Sequence, residues 1–190
     1  FAMVMVSTGG ATPVNYMALK ADVGSASLVG IEGLTANVTN LSVQVNKTSS
    51  TTAPNTVLDF VDSAEPINTS DTAATGRVIA TGPSTPDVTI DIDGDEGVLL
   101  AVMTDIELDV FGFVQLDGSL SFKKATGDFV LTDAQAHTST ALSNVGYLEV
   151  GGHVGSAFAG VGEIGFELTA VDFAMVMVST GGATPVNYMA

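Results

Sequence analysis

The stretch "DVTIDIDGDEG" (residues 87–97) brings Asp91, Asp93, Asp95 and Glu96 within a few positions of one another. Carboxylates this close repel unless a cation or water intervenes, and calcium takes such hard oxygen ligands. These four residues are therefore the candidate metal ligands, and calcium the candidate cofactor. The spacing departs from an EF-hand loop: with Asp91 as position 1, glycine falls at positions 4 and 7 and position 12 is Val102. Gly-rich calcium nonapeptides are also missing, so a solvated acidic turn is the alternative reading. Asp105, Glu107 and Asp109 form a second row in "TDIELDV", with the alternate spacing of any half-exposed strand.

Catalytic chemistry has little to work with. His137 and His153 are the only imidazoles. Serines and acids abound, so a nominal triad can be assembled on paper, but neither histidine lies in an H-x-x-x-H pattern and G-x-S-x-G is absent. The glycines of "VGSAFAGVGEIGF" follow no Walker or dinucleotide spacing, and no helix is expected there to receive a phosphate. No enzymatic activity is expected. Asn37, Asn40, Asn46 and Asn68 head N-x-[ST] tripeptides, which matter only in a glycosylating secretory host.

The elements that must position these residues are strands. Apolar residues alternate in Leu41, Val43, Val45; Val88, Ile90, Ile92; Ile106, Leu108, Val110; Ile164, Phe166, Leu168; and Phe173, Met175, Met177. That period of two predicts half-buried strands, and no helical stripe competes with it. Asp117-Gly118 and Asp93-Gly94 read as hairpin turns. Residues 46–76, rich in Ser, Thr, Asn and Pro, read as a surface insertion with only "VLDFV" as a strand.

The longest-range signal is duplication. Residues 1–18, "FAMVMVSTGGATPVNYMA", recur letter for letter at 173–190. The simplest reading is one complete tandem unit, 1–172, followed by the start of the next at 173–190. Inside the unit, Asn40, Asp87, Asp128 and Asp172 each head an alternating apolar run, about 43 residues apart. The expected fold is all-β without significant helix: a β-solenoid or a meander of about four quasi-repeats. In either layout the Asx residues would cap turns, or stack as an Asn ladder in a solenoid.

Composition narrows the partners. Five basic against 21 acidic side chains leave a net charge of −16, the wrong sign for nucleic acid. There is no cysteine and hence no disulfide framework. No apolar run approaches the length of a membrane helix, and absent Trp with few Tyr argues against the girdles of an outer-membrane barrel. Only 14% of residues are charged, low for an isolated soluble domain, which suggests apolar surface buried against neighbouring copies.

In texture, "ALKADVGSASLVGIEGLTANVTNLSVQVN" and "VFGFVQLDGSLSFKKATGDFVLTD" resemble repeat segments of giant bacterial cell-surface, adhesin-like proteins. The resemblance implies an exported, extracellular chain that extends from the cell or forms filaments, often with calcium. The function expected is thus structural: an extension or scaffold whose partners are copies of itself, in tandem and laterally. The alternative is an adhesive binding module presenting 46–76 to a glycan or protein.

Overall fold

A computed structural model describes residues 1–61, 76–180 and 184–190. Part of the 46–76 insertion, with Asn68, lies outside them. The described residues form ten strands and one 3₁₀ turn, Gly94–Glu96. The strands are β1 (Ala2–Ser7), β2 (Asn15–Ser27), β3 (Leu34–Thr48), β4 (Arg77–Ile79), β5 (Val88–Ile90), β6 (Leu99–Val110), β7 (Val114–Asp133), β8 (Thr138–Val161), β9 (Ile164–Ser179) and β10 (Asn187–Met189).

Eight of them make one open antiparallel sheet in the order β1-β2-β3-β6-β7-β8-β9-β10, while β4 and β5 pair separately. The all-β expectation holds, and the layout is a meander: no closed solenoid forms among the described residues. Local turn chemistry explains the antiparallel path. Phe111 and Gly112 both have positive φ, and the Phe113 amide donates to the Val110 carbonyl at 2.9 Å, the geometry of a type I′ turn. Gly162, at φ 61, occupies the first position of the two-residue loop between paired Val161 and Ile164.

The predicted Asp117-Gly118 turn is corrected. Both residues lie inside β7, paired on one side with Glu107 and Ile106 and on the other with Ser156 and Val154. Gly118 is required for close approach instead, because a Cβ there would strike the His153 carbonyl oxygen. Asp93-Gly94 does turn the chain, but it leads from β5 in the small sheet to β6 in the large one rather than closing a hairpin.

The core lies between one face of the large sheet and the segment that joins β3 to β6. The sheet contributes the small side chains Ala2, Ala18 and Ala125 with Leu99, and this lets Ile90 and Ile92 settle until 0% and 1% exposed. Burying each isoleucine contributes about 1.5–3 kcal/mol. The expected "VLDFV" strand is not a ladder strand. Leu58 and Phe60 instead pack on this core, with the Phe60 amide donating to the Ile92 carbonyl at 3.1 Å. This part of the insertion is therefore half-buried rather than a solvated decoration.

The opposite face of the sheet carries a cross-strand row of Met3, Leu19, Val45, Leu100, Lys124, Leu148 and Met177, in register from β1 to β9. Farther along β9 the apolar alternation is not buried as expected: Ile164 and Phe166 are 84% and 85% exposed. Alternation specifies which side chains share a face, but not that anything covers it.

Candidate functional site

The four predicted ligands sit in and beside the 3₁₀ turn, and each described partner pulls in a different direction. Asp91 accepts from the Lys20 ammonium on β2 at 2.8 Å. Glu96 accepts from Lys123 on β7, also at 2.8 Å. Asp93 accepts from the Asp95 amide at 2.9 Å and so caps the turn, a use that the Asx chemistry of this stretch anticipates. Burial lowers the Lys123 pKa, but the hydrogen bond and charge of Glu96, with smaller contributions from Tyr147, outweigh it and hold the ammonium above its ordinary value. Two bridges thus tie the acidic turn to the sheet, and each is exposed enough to contribute about 1 kcal/mol or less.

The second row has amide partners. Asp105 accepts from Asn40 Nδ2 at 2.8 Å, Glu107 from Asn37 Nδ2 at 2.8 Å, and Asp109 from Gln115 Nε2 at 3.0 Å and the Gly112 amide at 2.7 Å. Glu107 also stands directly opposite Asp117, a like-charge pairing that weakens a ladder. Among the described residues no group of three or more His, Asp or Glu side chains is arranged to hold a metal ion.

These contacts set the terms of a calcium test. A cation at Asp91 and Glu96 would have to displace two ammonium groups already in place. We expect calcium chloride and sodium chloride at equal ionic strength to raise the melting temperature equally, through screening of the net negative charge. Asp93→Asn should leave that equality unchanged. A calcium-specific rise that Asp93→Asn removes would establish the site, since a bound ligand stabilises by about 2.7 kcal/mol at a hundredfold excess over its dissociation constant.

The structure also assembles a constellation that sequence spacing did not reveal. Thr39, Asp105, Ser119, His153 and Asp172 succeed one another across β3, β6, β7, β8 and β9. They flank a shallow depression of about 310 Å³ lined by Asn40, Met103, Ser119, Leu120, Gly151 and His153. His153 Nδ1 and Asp172 Oδ1 are 2.6 Å apart, but among the described residues no hydrogen bond joins Ser119 to the ring. The ring is 50% exposed, whereas a nucleophilic triad needs its serine hydroxyl on the far nitrogen and an oxyanion pocket beside it. The contact between His153 and Asp172 is a cross-strand tie between β8 and β9. A second tie lies on the same face, nearer the β1 edge, where Ser42 donates to Asp22 at 3.0 Å.

Three of the four Asx residues proposed as turn caps make cross-strand contacts instead. Asn40, at φ 52, is part of the bulge between Thr39 and Ser42, and its side chain crosses to β6. Asp128 accepts from the Asn144 amide on β8 at 2.7 Å, Asp172 holds His153, and Asp87 precedes β5. They build no common ladder, because in an antiparallel meander successive segments do not stack in one repeated orientation.

The sheet edges are the remaining site, and here the duplicated sequence becomes geometry. In the hairpin of β1 and β2, Ser7 pairs with Asn15, Val6 with Tyr16 and Met5 with Met17. In the hairpin of β9 and β10, the identical residues Ser179, Val178 and Met177 pair with Asn187, Tyr188 and Met189. The same hairpin in the same register thus stands at both ends of one open sheet. No protein-family model, curated protein or solved structure matches the chain.

Proposed function

We propose that the chain is a structural repeat of a long extracellular bacterial surface protein or filament, extending it by adding unit to unit. The observation that carries this reading is the pair of identical hairpins in identical register at opposite ends of the sheet. A chain that reproduces its starting strand, correctly paired, at its far end has the geometry of a linear array, in which each repeat contacts its neighbours. The low charged fraction suits a polymer whose units bury apolar surface against one another. The described insertion supports a scaffold over an adhesive module, because Leu58 and Phe60 lie on the core rather than project from it.

Antibody raised against the chain, used for immunogold labelling of thin-sectioned source cells, tests the reading. Label is expected outside the envelope, on fibres or a surface fringe. Label confined to the cell interior would overturn it.

A further inference from the structure

The two ends of the sheet differ in one respect. In β9, residues 173–179 pair with β8 on one side and 177–179 pair with β10 on the other, whereas among the described residues the identical stretch in β1 pairs only with β2. The outer edge of β1 therefore presents unpaired main-chain groups on a short apolar strand, with Met3 and Met5 45% and 66% exposed. Such an edge is a template for another strand. What fits it is on the page, because the same sequence is seen with its partner: Met175 pairs with Val150, Val176 with Glu149, Met177 with Leu148 and Val178 with Tyr147.

We infer that the free edge of β1 receives β8 of the preceding copy of this unit, in the register Met3 to Val150, Val4 to Glu149, Met5 to Leu148 and Val6 to Tyr147. Tandem units then form one uninterrupted sheet rather than beads joined by linkers. This rests on the tandem-array reading and specifies how the units join.

Two features of the strand order make continuation geometrically possible. β9 is six strands along from β1, and an even number of antiparallel steps returns the chain to the same direction. The second feature is the stagger. The row that starts at Met3 arrives at Met177, which is the counterpart of Met5 rather than of Met3. Each unit thus advances the sheet by six strands and slides it by two residues, an even slip that keeps every side chain on its own face. The apolar row on the uncovered face continues from copy to copy in the same way. At about 4.8 Å per strand the array grows by about 29 Å per unit, with a twist of roughly 120–150°.

Chains carrying one, two and three copies of residues 1–172, each closed by residues 173–190, provide the test. Small-angle scattering gives their lengths, and hydrogen exchange gives the protection of each copy of residues 1–7. The expected increment is about 29 Å per added unit, with every copy of 1–7 except the first protected as strongly as 173–179. Longer increments, with domain-like spacing and unprotected internal copies of 1–7, would overturn the continuous sheet while leaving the tandem extension standing. A radius of gyration that does not rise with each added unit would overturn both.

Discussion

Asn46→Asp is expected to be among the most damaging single-atom-scale changes this chain can receive. Asn46 is fully buried on β3, between Ala18 of β2 and Leu99 of β6. Its Nδ2 donates to the Leu58 carbonyl at 2.6 Å, while its Oδ1 has no partner among the described residues. That bond is a buried fastening of the β3–β6 connection to the sheet, beside the more exposed bridges at Asp91 and Glu96. An aspartate would turn a donor toward an acceptor into a carboxylate facing a carbonyl, at a fully buried position. The expected loss at neutral pH is about 3–5 kcal/mol, a large share of a typical domain's 5–15 kcal/mol.

The pH dependence identifies the cause. Burial raises the pKa of the introduced carboxyl in the folded state. The penalty is then absent below the unfolded value of about 3.9 and grows as pH rises toward the folded pKa, where it is complete. Acid should partly rescue the variant, since the protonated carboxyl can donate to Leu58. Asn46→Leu, which leaves only the carbonyl unpaired, should cost about 1–3 kcal/mol with no such pH dependence. Urea unfolding of the three proteins at two pH values measures all of this. A neutral-pH cost for Asn46→Asp no larger than for Asn46→Leu would show that the site is wetter than its burial implies.

Gly118→Ala is the second large effect. The added methyl has no room, because its Cβ would meet the His153 carbonyl oxygen and lie 3.2 Å from Val154 Cα. Backbone cannot rotate away as a side chain can, so β7 and β8 must separate locally at the irregularity between Asp117 and Gly118. A loss of about 1–3 kcal/mol is expected, together with faster exchange at residues 151–156. Gly146→Ala is the matched control. It sits in the paired strand β8 with nothing within 4 Å of its Cβ, so alanine should stabilise by about 0.5–1 kcal/mol through the reduced entropy of the unfolded chain. Opposite signs for two glycine-to-alanine changes on paired strands are the expected result. Equal small effects would mean that the β7–β8 approach is looser than described.

What the sequence determined by itself was the strand character, the absence of helix and the duplicated ends. Each is a local or literal property: alternation follows from the pleat at Leu41, Val43 and Val45, and identity can be read by comparison. It could not determine which Asp-Gly is a turn. Asp117-Gly118 and Phe111-Gly112 both permit the required dihedrals, and the choice went to the second because Gly118 is needed where β8 crosses closely. Only the tertiary structure decided that Leu58 and Phe60 are core, since their segment has no period and gains its burial from the small alanines of strands distant in sequence. The tie between His153 and Asp172 was hidden for the same reason, because it depends on the register of β8 against β9. The acidic turn was legible as an acidic turn, but its partners Lys20 and Lys123 are 71 and 27 residues away. Charge can be counted along a chain, whereas its neutralisation depends on which strands the fold sets side by side.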